Sequence, residues 1–129
     1  MSIEVSWGNA QKTVVHVHFG ETWTLEDVHN MIDDMYNLMT SIDHMADSIM
    51  DFTDSRTSPA KLLTSGSHVQ KRTVSNSGIS VMVKANGFLK AMTQLIAKMF
   101  MKDTKIYFAD SLDEAYQIIG QHERTSVKS

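Results

Sequence analysis

The sequence predicts an α/β fold: a mostly parallel mixed sheet, opened by an N-terminal hairpin and dressed with about four helices. Two patterns predict it. Short alternating segments rich in β-branched residues recur along the chain, and longer segments with apolar residues every three or four positions lie between them. The length sets the number of domains, since 129 residues make one ordinary domain.

The elements follow in order. Ile3-Glu4-Val5-Ser6-Trp7 alternates apolar and polar residues as a half-buried strand does, and Gly8-Asn9-Ala10-Gln11 reads as a turn. Thr13 to Phe19 is a second strand, with Val15, Val17 and Phe19 on one face and His16 and His18 on the other. Thr24-Leu25-Glu26-Asp27 opens a helix, with Thr24 as N-cap and an acid three places on. Its apolar stripe is Leu25, Val28, Ile32, Met35, Met39 and Ile42. A strand over Ala46–Phe52 leads into a polar loop. Ser58-Pro59 then has the form of an N-cap and first helical residue, predicting a helix over residues 59–74. That helix has a sparse stripe, and Thr64-Ser65-Gly66-Ser67 has poor helix propensity.

Ile79–Val83 is the next strand. Asn86 caps a helix whose stripe is Phe88, Met92, Leu95, Ile96 and Met99. Lys105–Ala109 is a short strand, and Ser111-Leu112-Asp113-Glu114 is a capping box opening the last helix. The domain is expected to span residues 1–122, with 123–129 a polar, disordered tail. Strands alternating with helices after the hairpin imply right-handed crossovers.

Composition narrows the function. Hydrophobic residues are 42% and charged residues 21%, and there is no cysteine, which removes thiolate chemistry and disulfides. The net charge of −3 argues against a nucleic-acid partner. No apolar run reaches the roughly 20 residues of a membrane span, and the first residues lack signal-peptide character, so a cytoplasmic protein is expected. Residues 1–54 hold ten acids and one base, whereas residues 55–129 hold eleven bases and five acids. Such asymmetry fits acidic and basic helices paired within one domain, or a homodimer that joins them between copies.

Several local features together resemble the STAS-like domains, named for sulphate transporters and anti-sigma-factor antagonists. In particular, the chain is similar to short stand-alone bacterial proteins described as STAS/Sec14-like. The features are the opening strand ending in Trp7, Trp23 before the acidic helix start, Asp51 closing a strand ahead of Ser58-Pro59, and Lys105–Ala115 running from strand into helix. The resemblance covers about residues 1–121. It implies a regulatory or protein-interaction module, with a regulatory serine between the third strand and second helix. Asp51 matches the strand end, Asp54-Ser55 the Asp-Ser pair, and Ser58 the helix start, so Ser55 and Ser58 are the candidate phosphorylation sites. The run departs from the family pattern in having Pro59 after Ser58 and no glycine.

The residues themselves give the same segment a role. Asp51, Asp54, Ser55, Arg56 and Ser58 fall outside the carboxyl ends of the predicted parallel strands, where ligands bind in open α/β sheets. They are the candidate ligand- or partner-binding residues, although Asp and Ser are also ordinary loop and cap residues. His16 and His18 have a spacing that can hold a metal, but two ligands do not complete a site, and a partly solvated strand face is the plainer account. Ten methionines are unusual for this length. They are either core filler or the lining of an apolar pocket for a lipid-like ligand.

No phosphate-binding glycine loop, nucleophile elbow or zinc-protease motif occurs, and none of the motifs calls for a cofactor. The sequence therefore predicts a non-catalytic module that binds a protein partner, or else a carrier or sensor of a small apolar or anionic ligand. A ligand-binding role predicts an enclosed pocket of at least ~300 Å³.

Overall fold

A computed structural model describes residues 2–56, 59, 61–100 and 105–128, with 123–128 by backbone alone. The strands are β1 (Ile3–Trp7), β2 (Val14–Phe19), β3 (Ala46–Asp51), β4 (Ser77–Val83) and β5 (Lys105–Ala109). The α-helices are α1 (Leu25–Thr40), α2 (Gly66–Lys71), α3 (Gly87–Phe100) and α4 (Leu112–Lys128), and a 3₁₀ turn over Leu62–Ser65 precedes α2. The strands lie in sequence order, β1-β2-β3-β4-β5. The β1–β2 pair is antiparallel and the other three pairs are parallel, so the mostly parallel mixed sheet with its opening hairpin is as expected.

Register divides the side chains between two faces. Val5 pairs with Val17, Val17 with Met50, and Met50 with Met82, which puts all four on the first face. Ser6, His16, Ile49 and Val81 are likewise in line on the second face. Right-handed crossovers between successive parallel neighbours place every crossover helix on one side. The packing agrees: side chains of α1, α2 and α3 join the first-face cluster with Val15, Val17, Phe19 and Met82. Helix α4 packs on the second face, where Ala115 and Ile119 meet Ile49, Ile79, Val81 and Val83. Its main contacts are with β3, β4 and β5, and its Tyr116 hydroxyl donates to the Gly8 carbonyl at 3.4 Å, near His16.

Thr24 caps α1 as anticipated, its hydroxyl accepting from Asp27 N–H at 3.1 Å while the Asp27 carboxylate accepts from Thr24 N–H at 2.9 Å. Asn86 Oδ1 accepts from Leu89 N–H at the start of α3, and Ser111 Oγ from Glu114 N–H at the start of α4. A bulge in β3 frees Asp47 to reach across to β4, where its carboxylate accepts from Ile79 N–H at 2.8 Å. A Cβ at position 78 would collide with that carboxylate, so a larger residue there would have to displace Asp47 from its bond to Ile79.

Two expectations need correction. The long helix over residues 59–74 is instead a 3₁₀ turn and the short α2. The Thr64 and Ser65 hydroxyls bond back to the carbonyls of Lys61 and Leu62 at 2.6 and 2.7 Å, and Lys61 carries no side-chain cap. Such local bonds compete with a regular helix. The Phe100 ring of α3 also packs so close to Gly66 that a Cβ there would strike it. The second correction is at the C-terminus, where α4 continues to Lys128 through most of the segment read as a disordered tail. No proline or glycine follows Gly120 to stop it.

Candidate functional site

The loop after β3 gathers the carboxylates and serine named from the sequence. Asp51 Oδ1 accepts from Thr53 N–H and Thr53 Oγ1–H, which folds the chain into a tight turn. Asp54 Oδ2 lies 2.7 Å from His18 Nε2. The Ser55 hydroxyl accepts from the Trp23 indole N–H at 2.9 Å. Arg56 N–H donates to the Glu21 carbonyl at 2.9 Å, and its guanidinium lies 3.8 Å from the Glu21 carboxylate, with both side chains mostly in solvent. The loop is thereby tied to β2 and to the segment leading into α1. Ser58, the proposed cap and phosphorylation site, lies outside the described residues. Beneath the loop, Phe52 stacks on Phe19 at 4.2 Å and Phe19 meets Trp23 edge-on at 4.9 Å.

His16 and His18 do share a face. Each stands beside one carboxylate, His16 at 3.8 Å from Asp51 and His18 beside Asp54, and their side chains are 27% and 38% exposed. Among the described residues no group of three or more histidines and carboxylates is placed to hold a metal.

A cavity opens on the other side of the sheet. It lies between the first face and α1, α2 and α3, and its volume is about 230 Å³, somewhat below the ~300 Å³ expected of a ligand pocket. Met31, Met35 and Met39 line it from α1, Met50 and Met82 from the sheet, and Leu89 and Ile96 from α3. The lining is apolar apart from a few groups. Ser48 and Ser80 sit opposite each other on β3 and β4, their hydroxyl oxygens 2.7 Å apart, and form a polar spot on the cavity floor. Trp23 and Phe52 close the end beneath the β3 loop, and Tyr36, Arg72 and Thr73 stand at the other. A shallow polar depression formed by Thr40, Asp43, Ser75 and Asn76 adjoins that end and shares Tyr36, Met39, Thr73 and Val74 with the cavity.

The two helices at the mouth are held by a polar cluster. Asp33 of α1 accepts from Arg72 Nε–H at 3.0 Å and lies 2.8 Å from His68 Nε2. The hydrogen bond from His68, with help from Arg72, holds the Asp33 carboxyl below the usual aspartate range. His29 stacks flat on His68 at 4.6 Å, its Nε2 buried without a hydrogen-bond partner, and the Arg72 guanidinium lies over the Tyr36 ring. The sequence reading passed over these residues. Their signal was the pair of four-residue spacings, His29 with Asp33 and His68 with Arg72, each of which places two polar groups on one helix face.

The expected pairing of acidic and basic helices is reduced to Asp33 with Arg72 and His68. Among the described residues no lysine makes an ion pair with a carboxylate. No helix among the described residues is long and apolar enough to cross a membrane. Compared with known proteins, the chain matches no family model, no curated protein and no solved structure.

Proposed function

We propose that this protein is a non-catalytic cytoplasmic binding domain whose ligand is a small apolar or amphiphilic molecule held between the sheet and α1–α3. The cavity is the observation that carries this reading. If it were fully closed and empty, a void of about 230 Å³ would cost at most about 5.5 kcal/mol at roughly 24 cal/mol per Å³, and its open mouth lowers that figure. That is a large share of the ~5–15 kcal/mol that stabilises a whole domain. A ligand that fills the space recovers it. Methionine suits such a wall, because its unbranched thioether re-packs around guests of different shape. The Ser48–Ser80 spot gives the ligand one polar anchor inside, and the depression beside Thr73 and Asn76 accommodates a polar end outside.

Trp23 reports the test. A Trp7→Phe variant leaves Trp23 as the sole tryptophan, and titration with a medium-chain fatty acid or alcohol should shift its emission and raise the melting temperature. Met82→Trp should fill the space and abolish the rise in melting temperature, which is its readout because it adds a second indole. Absence of any response to such amphiphiles, or an unchanged response in Met82→Trp, would refute the reading.

The Trp23–Ser55 hydrogen bond supports a regulatory element of the kind the STAS-like resemblance implies. It ties the loop serine to a residue of the cavity wall, so charge at position 55 acts on ligand retention. Ser55→Asp should weaken amphiphile binding and move Trp23 emission, whereas Arg56→Ala should do neither.

A further inference from the structure

We infer that the outer face of α3 is a docking surface for an anionic lipid bilayer. The inference stands on the helix surface and is independent of what fills the cavity.

Helix α3 buries Leu89 and Ile96 towards the sheet, yet it also exposes Phe88 at 41%, Leu95 at 40% and Met99 at 56%. Spacings of seven and four bring these three onto one stripe along the helix. They are half of the six large hydrophobic side chains that the described residues leave exposed. A stripe of that kind on an otherwise satisfied helix marks an interaction face.

The charge around it is one-signed. From Ser55 to Ala109 the sequence holds nine Lys and Arg residues and a single acid, Asp103. Neither α2 nor α3 contains an acid. Lys61, Lys71, Lys84, Lys90 and Lys98 are exposed, and none is neutralised by a carboxylate among the described residues. Of these lysines, Lys98 flanks the stripe on α3 and Lys90 is turned away over Phe108; a helix with an exposed apolar stripe, lysines and no acid matches a negatively charged interface with acyl chains beneath it.

A second copy of the chain fits less well. The acidic α1 would satisfy the lysines, but its exposed side chains are polar: Glu26, Asn30, Asp34, Asn37 and Thr40. Phe88, Leu95 and Met99 would then be desolvated against groups that offer them nothing. An α3-to-α3 contact would match the apolar stripes but bring together two helices that carry lysines and no acid. Only the bilayer satisfies both features.

Flotation with phosphatidylcholine vesicles, with and without about 30% phosphatidylglycerol, tests the assignment. The protein should bind the anionic vesicles and not the neutral ones. Leu95→Gln with Met99→Gln should weaken binding roughly tenfold, and Lys98→Gln about fivefold, with steep loss in high salt. All three positions are exposed and none lines the cavity, so the variants should fold and keep the Trp23 response to soluble amphiphiles. Equal binding to both vesicles, binding to neither, or anionic binding that the variants leave unchanged would overturn it. So would a dimer that Leu95→Gln dissolves while the protein stays off vesicles.

Discussion

The two faces of the sheet are packed by different means. On the second face, Val14, Ile49, Ile79, Val81 and Val83 meet Ala109, Ala115 and Ile119, and Ile49, Val81 and Ala115 are fully buried. These side chains are small or stiff at χ1 and pack closely under one helix. On the first face, aromatic rings crowd the end beneath the β3 loop, and methionines surround a cavity further along. One side of the same five strands holds the fold together, and the other has room for a guest.

Adjacent residues of β3 give the sharpest test of that contrast. Ile49→Ala on the tight face should cost about 3–4 kcal/mol in urea denaturation. Met50→Ala, one residue on and facing the cavity, should cost roughly half as much, because some of its surface already borders empty space. Equal losses would mean that the cavity closes in solution.

The floor hydroxyls should show a smaller effect. Ser48→Ala strands the half-buried Ser80 hydroxyl and should cost about 1 kcal/mol, Ser80→Ala strands the buried Ser48 hydroxyl and should cost about 1–2 kcal/mol, while the double change should be close to neutral. Additive losses in that cycle would show that neither serine depends on the other. In the same variants, affinity for an alcohol should fall further than affinity for an alkane.

The smallest effect belongs to the cluster at the cavity mouth. Asp33 ionises more readily folded than unfolded, so between its lowered value and the ordinary one the unfolded chain binds more protons. Stability should therefore rise with pH across that acidic window and be flat, for this group, above it. Asp33→Asn should remove that part of the slope in acid titrations followed by circular dichroism. An identical slope in the variant would show that the cluster does not contribute.

The element order was legible because each strand and helix carried its own period and punctuation. The capping residues at Thr24, Asn86 and Ser111 fixed where three helices begin, and all three caps are made. The second helix was overextended because Ser58-Pro59 is a start signal only, and nothing in that stretch sets a length. The cavity was half legible. Methionine spacing pointed to it, but the same spacing describes a filled core. The β3 loop was placed correctly beyond the carboxyl end of a strand; in open α/β sheets the ligand crevice at such ends forms where strand order reverses. In this sheet the order never reverses, so no such crevice forms, and the space for a ligand lies between layers instead.

Strict sequential order also bears on how the chain assembles. Every strand pairs with its predecessor in sequence, and each parallel partner is only one crossover away. Loop-closure entropy grows slowly with length, and connections this short keep each closure modest. No pairing has to wait for a distant segment, which favours fast folding for a parallel sheet. The hairpin β1–β2 can form first and template β3, then β4, then β5. Helix α4, last in the sequence, needs β3, β4 and β5 beneath it before it can seal Ile49 and Val81.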